Sequence, residues 1–431
     1  MPKHIEIQQA EAEATVLVGL VVAGTRRSDV DDHLDELARL VDTAGGRVVD
    51  RLVQERPSPD AATLVGSGFV TRVANAAAEH DARSVIFDED LTASQIRNLE
   101  REMPKTAKVL DRAAVILDIF AARARSSEAK TQVELAQLSY LLPRLTRRWS
   151  HLSRQAGGIG TRGVGETQLE IDRRLVSKRI AQLKTKLAVI ERDRRLRRDR
   201  RRELPTVALV GYTNAGKSSL FRRMTRAKVL VEDRLFATLD PRARRVALGQ
   251  DVTAVMTDTV GFIRKLPHDL VAPFRSTLSE AVDADLVLHV VDVSHPSWED
   301  HLRVGDEVLE GLGVSRDAEL IVLNKTDLVA GSLPLAPGGR QAVPVSAMTG
   351  DGSAGLRSVI RRRLLSGPGV SVLQIPLEDV AAVQRAAGLP HQLARRYRQS
   401  TVELALRADR WRLTEADLEG YLIDEWPDGG S

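Results

Sequence analysis

A short apolar, β-branched run, Thr206-Val-Ala-Leu-Val210, leads directly into Gly211-Tyr212-Thr213-Asn214-Ala215-Gly216-Lys217-Ser218, and a helix-forming stretch continues to Met224. The middle piece has the spacing G-x-x-x-x-G-K-[S/T]. A buried strand, a glycine-rich turn and a helix in that order commit this part of the chain to an α/β layer, with the helix covering the sheet that holds the strand. The backbone N–H groups of such a turn curl inward, and the helix N-terminus adds partial positive charge, which together make a cradle for phosphate. Lys217 is then placed to reach β- and γ-phosphates, and Ser218 to set its hydroxyl on Mg²⁺. A glycine turn before an ordinary helix would account for the glycines but not for the Lys-Ser pair.

Three further segments follow in workable order. Thr238, within Phe236-Ala237-Thr238-Leu239-Asp240-Pro241, is positioned as a switch threonine whose hydroxyl and carbonyl meet Mg²⁺ and the γ-phosphate; alone it reads as a solvated loop residue. Asp258-Thr259-Val260-Gly261 closes a strand-like stretch, Val252 to Thr257, so Asp258 is expected to hold the metal through water and the Gly261 N–H to touch the γ-phosphate, whose loss releases the loop. Asn324-Lys325-Thr326-Asp327 follows the apolar run Glu319 to Leu323. A carboxylate at Asp327 accepts from both N–H groups on the guanine edge, while adenine offers no matching pair of donors. Ser346-Ala347-Met348, after another strand, offers backbone N–H groups to the guanine oxygen. Ras-like switches carry a water-orienting Gln right after the Asp-x-x-Gly segment. Here Phe262 and Ile263 stand there, so slow hydrolysis by the isolated chain is expected, or an imported catalytic group. Asn214 is a candidate ligand for a potassium ion in that role; the alternative is an Asn that only caps a turn.

A length of 431 residues implies two to four domains. Hydrophobic content of 43% permits filled cores, but with only 3% aromatics Leu, Val, Ile and Ala must fill them. The absence of cysteine removes disulfides and thiolate–metal sites and suits a reducing cytosol. No secretory signal is expected, since Lys3, His4 and Glu6 precede any apolar core, and runs such as Val16 to Ala23 are too short to span a bilayer.

The expected fold class is α/β and multidomain. A polar tail, 1–13, precedes an N-terminal α/β domain, 14–125, with strands at Thr15 to Val22, Val48-Val49 and Ser84 to Phe87. Its first helix, Asp31 to Thr43, carries Leu34, Leu37, Ala38 and Val41 on one face and stops at Gly45-Gly46; Gly66-Ser-Gly68 reads as a turn or helix cap. Residues 126–203 read as an antiparallel helical hairpin. Its second helix has a seam of Leu169, Val176, Leu183 and Ile190, with Ile180 and Leu187 between them. Its tip holds Gly157-Gly158-Ile-Gly160-Thr-Arg162-Gly163-Val-Gly165. Arg197, Arg198, Arg200 and Arg201 near its end read equally as phosphate contacts or as a solvated, ion-paired face. The phosphate-loop domain, 204–366, should hold a doubly wound, mostly parallel sheet. Gly367-Pro-Gly369 reads as a linker to a small α+β domain, 370–431, whose Tyr397 and Trp411 read as core residues.

The chain resembles the HflX family of translational GTPases from about residue 15 to 431. The likeness rests on Gly157-Gly-Ile-Gly-Thr-Arg-Gly-Val-Gly-Glu-Thr-Gln-Leu-Glu170, on Asp258-Thr-Val-Gly-Phe-Ile-Arg-Lys-Leu-Pro-His-Asp-Leu-Val271 and on Phe236 to Pro241. Val164 stands where the family usually has Pro, and Arg242-Ala243 where it often has Thr-Thr. The resemblance implies GTP-dependent binding to the large ribosomal subunit and its rRNA, with splitting or rescue of ribosomes under stress. It implies that the hairpin, with Gly157, Gly158, Gly160, Arg162, Gly163 and Gly165 at its tip, reaches toward the peptidyl-transferase region. It also implies ATP binding by the N-terminal domain in some members, for which residues 15–120 show no phosphate loop. Two other readings stay open: a signalling switch with protein partners or peripheral membrane association, and an ATP-driven RNA remodeller with a regulatory GTP site.

Overall fold

The structure is a computed structural model that describes residues 12–145, 168–199, 204–226, 235–236, 240–249, 252–265, 280–367, 369–408 and 410–427. The chain divides into two compact units, one of residues 1–187 with 265–273, the other of 188–264 with 274–431.

The first unit is built on β1 (Glu13–Val21), α1 (Arg27–Ala44), β2 (Gly46–Glu55), α2 (Ser67–Glu79), β3 (Ser84–Phe87), α3 (Ala93–Glu102), β4 (Lys108–Asp111) and α4 (Arg112–Arg123). All pairings in the four-stranded sheet, β2-β1-β3-β4, are parallel. β1 is an unbroken apolar run because helices cover both sheet faces. α1 buries Val30, Leu34, Leu37, Leu40 and Val41, and ends where Gly45 turns left-handed at φ 91. Gly66 is the N-cap of α2, as its sequence context suggests. Arg112 is fully buried and donates to Asp88 at 2.8 Å and to Glu36, so its charge is compensated.

α5 (Ser127–Leu141) and α6 (Gln168–Asp199) form the helical pair. Arg179 bonds Glu134 at 2.7 Å and Arg173 reaches the Leu145 carbonyl at 3.4 Å, so the position on α6 falls as that on α5 and its extension rises. The helices are therefore antiparallel. The expected seam faces inward: Leu183 and Leu187 are buried, and Val176, Ile180 and Ile190 half-buried. The Leu169 side chain, those of Arg197 and Arg198, the whole of Arg200 and Arg201, and the tip from Gly157 to Gly165 lie outside the described residues.

The second unit holds β5 (Thr206–Gly211), α7 (Lys217–Thr225), β6 (Arg242–Gly249), β7 (Val252–Asp258), β8 (Leu286–Asp292), α8 (Trp298–Gly311), β9 (Glu319–Asn324), β10 (Ala342–Pro344) and α9 (Ser353–Leu365). Its six-stranded sheet runs β10-β9-β8-β5-β7-β6, parallel except for β6 against β7. β5 lies between β7 and β8, so the chain winds away from it in both directions. The crevice beyond its C-terminal end is where such sheets bind ligands.

A third sheet, β12-β13-β11-β14, is antiparallel. It comprises β11 (Val370–Pro376), β12 (Gln392–Tyr397), β13 (Thr401–Arg407) and β14 (Leu422–Ile423), with α10 (Val380–Gly388) and α11 (Arg410–Glu415). Arg407 pairs with Asp285 at 2.7 Å, and Asp285 accepts the Thr206 N–H at 2.7 Å at the start of β5. This ties the third sheet to the end of the central sheet away from the phosphate loop. The expectation that Tyr397 and Trp411 are core residues fails: they are 60% and 57% exposed. Tyr397 ends an edge strand at a hairpin, and the Arg412 guanidinium lies over the Trp411 ring. Trp426 takes the buried place instead, under Arg396.

Candidate functional site

The phosphate loop forms as its glycines require. Gly211 lies at φ 140 with its Cα against the Val290 carbonyl, and Gly216, at φ 90, lies against the Asn324 amide; a Cβ fits at neither. Asn214 also takes a left-handed conformation, at φ 61. α7 starts at Lys217, immediately after the loop. The buried Lys217 ammonium donates to the carbonyls of Gly211 at 3.0 Å and Tyr212 at 2.8 Å. Burial, opposed in part by Asp258, pulls its pKa down to about 8. Ser218 donates to Asp258 at 2.7 Å. A hydroxyl and a carboxylate at the mouth of the phosphate loop are the hard oxygen donors that Mg²⁺ takes.

Asp258 ends β7; after it Thr259 bonds to β5 and Gly261 packs against the loop. Thr259 spends its hydroxyl on the Leu209 carbonyl at 2.6 Å, so its side chain acts inside the fold. A Cβ on Gly261 would sit 2.8 Å from the Lys217 ammonium and 2.8 Å from the Thr213 Cα, so only glycine brings this backbone so close. Phe262 bridges Gly211 and Thr213 through two backbone bonds, of 2.9 and 2.7 Å. Phe262 and Ile263 are buried, so the position after Gly261 is core and not a water-orienting group. Beneath it the Phe262 ring stands edge-on to His289, 6.4 Å away. Burial disfavours a charged His289, but Asp306 and Glu319 outweigh that and raise its pKa. Arg340 balances the two carboxylates, at 2.7 and 2.6 Å.

The other end of the crevice is assembled by Asn324. Its amide nitrogen donates to the Ala215 carbonyl at 2.8 Å and its amide oxygen accepts the Ala347 N–H at 3.0 Å, which joins the phosphate loop to Ser346-Ala347-Met348. Lys325 pairs with Asp292 at 2.6 Å, and Asp327 is exposed on the turn Thr326–Leu328. The Ser346 hydroxyl accepts the Thr349 N–H at 3.0 Å. Thus the phosphate loop, Asp258–Gly261, Asn324–Asp327 and Ser346–Met348 meet in one crevice. Phe236 and Asp240 are described, but Ala237, Thr238 and Leu239 lie outside the described residues.

Two contributions are invisible in the sequence. Arg223 of α7 donates to the Ala347 carbonyl at 3.2 Å and to that of Met348, tethering the base-side loop. Tyr212 is buried, and its hydroxyl accepts the Arg264 N–H at 2.9 Å; its ring faces the protein interior.

A doubly wound domain with this loop and this base-side segment is a P-loop GTPase domain. A family model described as 50S ribosome-binding GTPase matches residues 206–325, one described as GTP-binding GTPase N-terminal matches 31–121, and one described as GTP-binding GTPase middle region matches 123–201. The GTPase HflX of Alkalihalophilus pseudofirmus is 47% identical over 75% of this chain and 76% of its own length. That of Escherichia coli is 43% identical over 85% of this chain and 86% of its own, and that of Lacrimispora saccharolytica 42% over 93% and 92%. The chain belongs to the HflX family of GTPases, and it hydrolyses GTP. Among the described residues no helix is long and apolar enough to cross a membrane.

Proposed function

We propose that the GTP-bound chain docks on the large ribosomal subunit and couples the GTP/GDP cycle to splitting or rescue of ribosomes under stress, in the cytoplasm. The observation that carries this reading is the match of residues 206–325 to a family described as 50S ribosome-binding GTPases, within a chain that has HflX relatives along most of its length. The hairpin adds to it. α6 exposes Arg173, Arg174, Lys178, Lys184, Lys186 and Arg192, a surface suited to rRNA phosphates. A signalling or membrane-associated switch leaves that face without a task, and an ATP-driven remodeller lacks a phosphate loop in residues 15–120.

In this reading Gly211–Ser218 hold the phosphates, Ser218, Thr238 and Asp258 would hold Mg²⁺, and Asn324–Asp327 with Ser346–Met348 hold the base. Bound Mg²⁺ neutralises charge that develops on the phosphates. Asn214 offers its amide oxygen to K⁺ beside them; equal turnover in potassium and sodium buffers at one ionic strength would remove K⁺ from the scheme.

The hairpin tip bears the action on the ribosome. Deleting Gly157 to Gly165 is expected to leave GTP binding by the free protein unchanged and to abolish subunit splitting, followed by light scattering after mixing with intact ribosomes and GTP. Splitting at the full rate would make the hairpin a spacer.

A further inference from the structure

We propose that Tyr212 is a positioning residue for hydrolysis: its hydroxyl pins the backbone just after Gly261, and His301 of α8 holds its ring in place. The inference rests on the reading that Gly261 faces the γ-phosphate.

Four observations carry it. Arg264 is buried, and its N–H, three positions beyond Gly261, is given to the Tyr212 hydroxyl at 2.9 Å. A buried backbone donor needs a partner, so this bond fixes where the segment lies. The Tyr212 ring is stacked on His301, with centroids 3.9 Å apart and planes within 11°. The ring therefore has no freedom to carry its hydroxyl elsewhere. Burial first, then the charges of His295 and Arg264, hold the His301 pKa down at about 3, so the imidazole under the ring is neutral throughout the working pH range. Finally, the Arg264 guanidinium reaches back to α8, pairing with Asp300 at 3.0 Å. Both the backbone and the side chain of Arg264 are thus referred to one helix, the first through Tyr212.

The consequence follows from the tightness at Gly261. The Lys217 ammonium and the Thr213 backbone leave no space beside its Cα. A backbone held only by the Phe262 bridge can pivot about it, and a small pivot moves the Gly261 N–H relative to the phosphate loop. Tyr212 supplies the second fixed point. It stabilises the arrangement needed for phosphoryl transfer, in which catalysis is mostly positioning, and not the binding of nucleotide as such. A chain with buried Phe262 where a water-orienting Gln can stand depends the more on a fixed backbone.

Tyr212→Phe removes the hydroxyl alone and keeps the stacked ring. Single-turnover hydrolysis at saturating GTP is expected to fall about tenfold, the equivalent of a buried donor left unpaired. Affinities for fluorescent GTP and GDP analogues should stay within about twofold, a span well below the ~1.4 kcal/mol of a tenfold change. His301→Ala, which removes the platform, should lower the rate similarly, and His301→Phe, which restores a flat ring, should recover it. Unchanged hydrolysis in Tyr212→Phe overturns the proposal, as does a parallel loss of GTP and GDP affinity, or a slow His301→Phe. Gly261→Ala is the control for the underlying reading: a full hydrolysis rate there refutes the γ-phosphate assignment itself, whereas a slow Gly261→Ala beside a normal Tyr212→Phe refutes only the role of Tyr212.

Discussion

Asp327→Asn is expected to turn a GTP site into one that prefers xanthosine nucleotides, with GTP affinity falling by roughly 10³-fold or more, as in sites built to hydrogen-bond one partner. In the proposed reading the Asp327 carboxylate accepts two N–H groups from guanine, and an amide in its place would present a donor to one of them. Xanthine carries an oxygen at that edge and accepts from the amide. The rest of the base pocket remains, because Asn324, between the Ala215 carbonyl and the Ala347 N–H, is untouched. Competition binding with GTP and XTP reads the result. Full GTP affinity in the variant would show that Asp327 does not read the base.

Lys217→Ala is expected to weaken GTP–Mg²⁺ binding by roughly a hundredfold, since bonds to charged groups are each worth about 1.5–3 kcal/mol. Ser218→Ala is expected to weaken it through the metal, so its loss should shrink when Mg²⁺ is withheld. Both variants should fold, because among the described residues the Lys217 ammonium bonds the Gly211 and Tyr212 carbonyls and the Ser218 hydroxyl bonds Asp258, all contacts within the loop and its rim. Its depressed pKa gives a second signature. Between pH about 8 and the ordinary lysine value of 10.5, the unfolded chain holds the proton while the folded one has shed it. By linkage this group's contribution to folding stability therefore rises with pH through that window. GTP binding runs the other way, because the phosphates call for the ammonium. At pH 9 binding should take up a proton, visible by calorimetry in buffers of different ionisation heat, and Lys217→Ala should abolish that uptake. Unchanged affinity in both variants would remove the loop from the site.

How much of this was legible in the sequence differs between site and fold. The crevice was legible because each segment follows its own strand: β5, β7 and β9 end at Gly211, Asp258 and Asn324, so sequence order became spatial order. β6 leaves no signal in the sequence, because Arg242-Ala-Arg-Arg lacks apolar alternation and is held by its pairing with β7. β2 runs to Glu55, far beyond Val48-Val49, since a parallel edge strand needs only its partner's length, not an apolar run of its own. Tyr397 and Trp411 depart from the core placement expected of them, because aromatic residues fill cores only on average and the sheet order decides which strand is an edge. The Tyr212–Arg264 bond joins residues 52 positions apart, and no periodicity announces such a pair.

If the GTP form of this chain seeks the large ribosomal subunit, sedimentation shows it. Purified protein is layered with separated ribosomal subunits on sucrose gradients containing a non-hydrolysable GTP analogue, GDP or ATP. A partner that prefers the GTP state must also tighten GTP binding, so docking and nucleotide are linked. Co-migration with the large subunit is expected in the analogue, and little with GDP or ATP. Protein that stays at the top of the gradient in every nucleotide, or that migrates equally with GDP, would contradict it.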